Sequence, residues 1–177
     1  LRPLGLRLLP VFVWFYILAF PFWAVGYLLA ARRGKDMFYR FVATDLTLHF
    51  ICFICFILIP TTNIRPEIPG NALSEKILAL VYSLDGGNSP SNLFPSIHCY
   101  VSWMCWKGVE GSEKVPKWYQ RFSLVFAILI IISTQVLKQH YIVDAAAALL
   151  LVEFFWRFYQ KGQRHKWVVH IFANEKK

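Results

Sequence analysis

The chain has 177 residues, of which 57% are hydrophobic and only 16% are charged, and its formal net charge is +9. An ordinary soluble domain carries about one quarter charged residues, so this composition argues against that class. The positive charge does not indicate nucleic-acid binding, because neither a basic face nor a nucleic-acid-binding motif accompanies it. The length predicts a single domain over residues 1–177.

Long apolar segments predict helices that cross a membrane. A spanning helix needs about 20 apolar residues, with a lower limit of about 17. Five segments qualify, near residues 8–31, 41–60, 93–109, 122–137 and 141–158. The second segment qualifies if Asp45 and His49 face the protein interior. The predicted fold class is therefore all-α, an integral membrane helical bundle with five transmembrane helices in this chain.

The segment between the second and third helices, residues 61–92, differs from the others. It holds six helix breakers and cannot form one helix; these are Pro66, Pro69, Gly70, Gly86, Gly87 and Pro90. Residues 74–84 begin as a capped helix, with Glu75 and Lys76 in the first turn. Because its apolar part is too short to span, we expect this helix to be interfacial or re-entrant.

Basic residues are concentrated in the segments that lie at one end of the predicted bundle. The loops after the first and third helices and the C-terminal segment hold four, four and six Lys or Arg residues. The opposite side, apart from the N-terminal end, holds only Arg65, Lys76 and Lys138. The excess marks the cytoplasmic side, so residues 61–92 and 138–140 face outward, in what we expect to be the cell membrane. Leu1 then also lies outside, which predicts a sixth, N-terminal helix absent from this sequence.

The four cysteines do not predict a metal centre. Cys52 and Cys55 form a C-x-x-C inside an apolar run, and His49 lies on the same helical stripe. A redox or zinc role is conceivable there, but the second pair of soft ligands that zinc sites use is missing. Buried cysteines also commonly pack as small hydrophobic residues. We expect no metal and no cofactor.

Three outward segments carry polar residues at the same depth: residues 65–66, 94–98 and 133–144. In the last of these, His140 and Asp144 share a helix face because they are four residues apart. An Asp bonded to one imidazole nitrogen fixes the tautomer and leaves the other lone pair free to attack. His140 is therefore the predicted nucleophile. The alternative is a buried polar pair that joins two helices, although ionisable groups in membrane segments are usually functional.

The other two segments supply candidate phosphate ligands. A helix that starts near Pro95 offers free N–H groups to an anion, and Ser96 can donate to a phosphate oxygen unless it only caps the helix. His98 can act as general acid. Arg65 and Lys138 provide positive charge, unless they only anchor the chain at the headgroups.

The order R-P, P-S-x-H and S-x6-H-x3-D resembles the type 2 phosphatidic acid phosphatase superfamily of membrane lipid phosphatases and phosphotransferases. The resemblance runs from about Arg65 to Asp144, and Ser133 matches the serine of the third motif. Three positions depart from the family pattern: Leu58 replaces a lysine, Ile97 a glycine and Thr134 an arginine. Two cationic phosphate ligands are thus absent, and we expect Lys138 to take over part of their work.

The resemblance implies a six-helix bundle and a metal-independent reaction through a phosphohistidine. It assigns His140 as nucleophile, Asp144 as its partner and His98 as acid, with phosphate held by Arg65, Ser96 and Ser133. Lys138 is our own addition to these expected phosphate ligands. We expect a phosphatase that hydrolyses a lipid phosphate or pyrophosphate on the extracytoplasmic side, acting on a phospholipid, isoprenoid-phosphate or sphingolipid.

Two alternatives stay open. The string from Lys138 to Asp144 is similar to the branch of sphingolipid head-group transferases, which would pass a phosphoalcohol to a lipid hydroxyl through the same phosphohistidine. The other alternative is a non-catalytic membrane lipid-binding protein.

Overall fold

The computed structural model describes residues 6–87 and 90–173, and their regular structure is helical. A 3-10 turn at Pro10–Phe12 leads into the first helix. The seven α-helices are α1 (Val13–Ala31), α2 (Lys35–Leu58), α3 (Leu73–Leu84), α4 (Ile97–Val109), α5 (Lys117–Val136), α6 (Ile142–Gln160) and α7 (Lys166–Ala173). The predicted all-α class is confirmed.

Three helices within the described residues are long and apolar enough to cross a membrane: Pro10–Ala31, Lys35–Leu58 and Lys117–Val136. Large apolar side chains point away from the bundle, as lipid contact requires; examples are Leu28 at 67% exposure and Phe50 at 65%. These features identify a membrane protein. Helix α4 has 13 residues, about 20 Å at 1.5 Å per residue, and α6 is not among these three helices. A complete crossing by either helix therefore stays a prediction.

Several helix boundaries differ from those predicted. Helix α2 begins at Lys35 rather than near residue 41, because its charged first turn continues the helix beyond the apolar part, with Arg40 bonded to Asp36 at 2.7 Å. Helix α5 likewise begins at Lys117. Helix α4 begins only at Ile97, since Ser96 caps it. Helix α7 follows a turn and was not predicted.

The short helix in residues 61–92 is present as α3. Its N-cap is Ala72, and the Glu75 carboxylate accepts the backbone N–H groups of Asn71 and Ala72 at 2.8 and 3.1 Å. Leu78 and Tyr82 are buried against the start of α1 and the end of α5. Helix α3 therefore covers one end of the bundle; its depth in the membrane stays a prediction.

Helix α4 lies at the centre of the bundle and packs against α1, α2, α5 and α6. Its contact with α1 depends on Gly26, where an added Cβ would lie 2.6 Å from the Cys105 sulfur. Small residues at such positions let membrane helices approach closely. The close approach brings the aromatic side chains of α1 against the first turn of α4.

Candidate active site

His98 and His140 line one cavity of about 370 Å³ at the end of the bundle where α4 and α6 begin. Their ring centroids are 6.3 Å apart. The other lining residues are Tyr16, Phe20, Trp23, Phe56, Asp85, Ser91, Asn92, Leu93 and Ile97. Two imidazoles on one cavity can serve one reacting group as nucleophile and proton donor.

His140 lies in the turn between α5 and α6, and its Nδ1 meets two acceptors. The carbonyl oxygen of Leu93 is 3.0 Å away, and Oδ2 of Asp144 is 3.5 Å away. Because both groups only accept hydrogen bonds, Nδ1 carries the proton and Nε2 of the neutral ring keeps its lone pair. The contact with the Leu93 carbonyl could not be predicted from residue types, since any residue can supply a backbone acceptor.

Asp144 is buried one turn beyond His140, at 2% exposure. Its Oδ2 accepts the backbone N–H of Tyr141 at 2.8 Å, which satisfies a free donor at the start of α6, and the helix dipole favours a carboxylate there. Its own carbonyl oxygen accepts the backbone N–H of Ser96 at 3.3 Å. Asp144 therefore faces His140 and also joins the start of α6 to the start of α4.

His98 is enclosed by aromatic side chains of α1. Tyr16 stacks on the imidazole at 4.3 Å between ring centroids, and Trp23 lies 5.1 Å away. The Trp23 indole is fixed by a 2.9 Å hydrogen bond to Ser102. Nε2 of His98 is buried and has no hydrogen-bond partner among the described residues. A buried polar atom of this kind is costly, so a ligand in the cavity would satisfy it.

Ser96 and Ser133 are both fully buried and bonded within their own helices. The Ser96 hydroxyl oxygen accepts the backbone N–H of Cys99 at 3.3 Å, which is the capping role considered above. The Ser133 hydroxyl donates to the Ile130 carbonyl at 2.6 Å. Neither lines the cavity of the two histidines, and their roles as phosphate ligands stay predictions.

Arg65 is buried and connects two loops beside the cavity. Its guanidinium donates to the carbonyls of Tyr82, Asp85 and Gly87 at 3.3, 2.9 and 2.9 Å. It also donates to the Asp85 carboxylate and to the side-chain oxygen of Gln139, the residue before the candidate nucleophile. Arg65 thus positions the loop after α3 against the turn that carries His140, and only Asp85 of these partners lines the cavity.

Burial raises the pKa of Tyr82 to about 12, so its hydroxyl stays protonated. It donates to the Leu137 carbonyl at 2.6 Å. This bond holds α3 against the end of α5, directly before Lys138.

Lys138 lies in a left-handed conformation, with φ 54°. Its carbonyl accepts the side-chain N–H of Asn63 at 2.7 Å, and its ammonium donates to the Leu6 carbonyl. Lys138 lines a second, smaller pocket that His140 also lines. Its predicted contact with phosphate in the larger cavity stays a prediction.

Within residues 6–87 and 90–173, no three or more His, Cys, Asp or Glu side chains are grouped to hold a metal ion. All four cysteines are free thiols, and Cys52, Cys99 and Cys105 are buried.

The sequence model of the PAP2 superfamily matches residues 7–157. This range contains both histidines of the cavity and helices α1 to α5 with most of α6. No curated protein and no solved structure shows a significant match to the chain. The family match covers well over half of the chain, and the matched range includes all three of its polar motifs. The chain belongs to the PAP2 superfamily, whose members are phosphatases.

Proposed function

We propose that this protein is a membrane phosphatase that hydrolyses a lipid phosphate or pyrophosphate through a phosphohistidine at His140. The single observation that carries the proposal is the shared cavity: Nδ1 of His140 is occupied by two acceptors, and the His98 ring lies 6.3 Å from the His140 ring. A phosphoryl group between the rings would contact the nucleophile and the acid together.

In the first step, Nε2 of His140 attacks phosphorus and the bond from phosphorus to the lipid oxygen breaks. His98, which we propose takes up a proton when the anionic phosphate binds beside it, gives that proton to the oxygen. The lipid then leaves as an alcohol or, from a pyrophosphate, as a lipid monophosphate. The phosphorylated imidazole gains positive charge, which the Leu93 carbonyl and the Asp144 carboxylate stabilise from the Nδ1 side.

In the second step, a water molecule attacks phosphorus and gives a proton to His98. The phosphorus–nitrogen bond breaks, inorganic phosphate leaves, and His140 returns to the neutral tautomer. Both histidines are then in their starting protonation states. The cycle consumes one water molecule and needs no redox partner.

The cavity is proposed to open on the extracytoplasmic side of the cell membrane. The basic loops support this orientation: Arg32 and Arg33 follow α1, and Arg157 and Lys161 lie at the far end of α6 from His140. An excess of Lys and Arg marks cytoplasmic ends.

A second candidate function is transfer of a phosphoalcohol head group to a lipid hydroxyl. The observation that favours it is the lining of the cavity: four aromatic rings and no Lys or Arg among the described lining residues. A lining that is mainly, although not wholly, apolar disfavours water and favours a lipid hydroxyl as the group that resolves the phosphohistidine.

One experiment separates these functions. Purified protein is given phosphatidic acid, an isoprenoid pyrophosphate and a sphingoid phosphate, and separately a phosphodiester lipid with a hydroxyl-bearing acceptor lipid. Free phosphate and new phospholipid are both measured, with the His140→Ala protein as blank. Released phosphate supports the phosphatase, and a new phospholipid supports the transferase. Failure of the unaltered chain to exceed the blank on any substrate would favour a non-catalytic lipid-binding protein.

A further inference from the structure

A groove of about 470 Å³ lies at the end of α6 that is distant from His140. Its lining residues are Leu150, Glu153, Phe154, Arg157, Phe158, Lys161 and Arg164, and we name it the α6 groove. Helix α6 has 19 residues, a length of about 28 Å. With α6 crossing the membrane as predicted, the α6 groove lies close to the membrane surface opposite the candidate active site and takes no part in the proposed reaction.

The α6 groove is polar at one end and apolar at the other. Arg157, Lys161 and Arg164 are exposed and line the same concave volume. Deeper along the same helix, Leu150 and Phe154 are 71% and 62% exposed. From Leu150 to Lys161 the helix rises about 16 Å, and the surface changes from apolar to cationic over that distance.

The positive charge of the α6 groove exceeds the negative charge of the groups that lie near it. Glu153 is its acidic lining residue, and that carboxylate already lies 3.1 Å from the Lys107 ammonium, outside the groove. Arg157 lies 3.4 Å from Glu153 but is 76% exposed, and such exposed pairs hold their partners weakly. The negative end of the α6 dipole offsets only about half a charge.

The guanidinium of Arg164 is held in place by Phe158. Its guanidinium lies 4.2 Å above the Phe158 ring, and it donates to the Phe158 carbonyl at 3.5 Å. A cation held over an aromatic face is partly preorganised for an anion.

We propose that the α6 groove binds one anionic phospholipid from the leaflet opposite His140. The lipid phosphate lies among the three cations, and an acyl chain follows Leu150 and Phe154. Cations that only flank a membrane span would satisfy the general charge asymmetry of membrane proteins. Three cations on one concavity, continuous with an apolar floor, instead match the head and tail of a single lipid.

The test is native mass spectrometry of the purified full chain with phosphatidylglycerol, phosphatidylcholine or inorganic phosphate. We expect one phosphatidylglycerol retained per chain, under conditions that strip phosphatidylcholine. A triple variant, Arg157→Gln, Lys161→Gln and Arg164→Gln, is expected to bind it at least about tenfold more weakly, the loss expected for a charge-assisted contact.

The matched control removes three exposed cations at the same end of the bundle: Lys114→Gln, Lys117→Gln and Arg121→Gln. It should retain the lipid like the unaltered chain. Equal loss in the control would overturn the proposal in favour of diffuse surface charge.

Two further outcomes would also overturn it. Equal retention of phosphatidylcholine would show that binding does not need a net negative charge on the lipid. Displacement of the lipid by an equal concentration of inorganic phosphate would show that the acyl chain does not contribute to binding. If the triple variant does not fold, judged by its unfolding temperature in detergent, Lys161→Gln alone should still weaken retention measurably, and unchanged retention there would count against the proposal.

Discussion

Two His–Asp pairs, each with its two residues four positions apart in the chain, lie in different parts of the bundle. Nδ1 of His140 is 3.5 Å from Asp144, and Nδ1 of His49 is 3.5 Å from Asp45. In both pairs the same nitrogen also lies 3.0 Å from a carbonyl oxygen, that of Leu93 for His140 and that of Asp45 itself for His49. Judged by the pair alone, the two are equivalent.

Their surroundings differ. His140 shares a cavity with a second imidazole, whereas His49 lies in the middle of α2 with its ring edge-on to Tyr100 at 5.2 Å. Asp45 is buried and accepts a hydrogen bond from the Tyr27 hydroxyl at 2.6 Å. Its partner His49 is half exposed, so of the two residues only Asp45 meets the condition, stated for the second predicted span, of facing the interior. The His140–Asp144 pair is therefore distinguished as the candidate catalytic pair by the second imidazole, that of His98, and by the cavity that both histidines line.

Removal of the imidazole is expected to produce the largest difference in turnover between the two pairs. His140→Ala should lower turnover by about 10⁴-fold or more, because the nucleophile is removed. His49→Ala serves as the matched control and should leave turnover nearly unchanged. Turnover is measured as phosphate release from a lipid phosphate in detergent, with the unfolding temperature to verify folding. Comparable losses in both variants would end the distinction between the pairs.

Replacement of the carboxylates should produce the second-largest difference in turnover between the two pairs. Asp144→Asn is expected to lower turnover by about 10²- to 10⁴-fold while substrate binding is kept, since the charge that stabilises the imidazolium is lost. Asp45→Asn should have a small effect on turnover. The two variants are compared by kcat and KM on the same lipid. An unchanged kcat for Asp144→Asn would reject its role.

The second imidazole of the cavity provides the next test. His98→Gln should lower turnover by about 10²-fold on a lipid phosphate, the usual contribution of a general acid. On a phosphate ester whose leaving group needs no proton, such as a nitrophenyl ester, the loss should be much smaller. The ratio of the two rates identifies an acid, because a purely structural loss would lower both rates equally.

A smaller effect is expected for Lys138. Lys138→Ala should raise KM by about tenfold, which corresponds to one lost charge-assisted hydrogen bond. Lys76→Ala, which removes an exposed cation of α3, is the control. Equal changes in KM would exclude Lys138 from substrate binding.

The smallest expected effect is that of a chelator. Addition of EDTA should leave phosphate release unchanged, because the proposed steps use only imidazole, carboxylate and main-chain groups. Inhibition that a divalent cation reverses would require a different mechanism.

The helices were largely predictable, because apolar run length and helix breakers act locally. Their ends were less so, as at Lys35 and Lys117, where charged residues extend a helix beyond its apolar part. The motifs singled out His98 and His140, and the fold brings the two to one cavity. The role of the Leu93 carbonyl could not be predicted, since main-chain atoms carry no sequence pattern. The burial of Arg65 depends on how two loops meet, which no local pattern encodes.

The turn before α6 and the segment before α4 are joined through main-chain oxygens of Leu93 and Asp144. Substitutions cannot delete a peptide carbonyl, so these two contacts do not depend on which side chains occupy positions 93 and 144. The aromatic wall formed by Tyr16, Phe20 and Trp23 has no such protection. For the proposed enzyme, substitutions in this wall are therefore expected to change the preferred lipid before they change the proposed reaction.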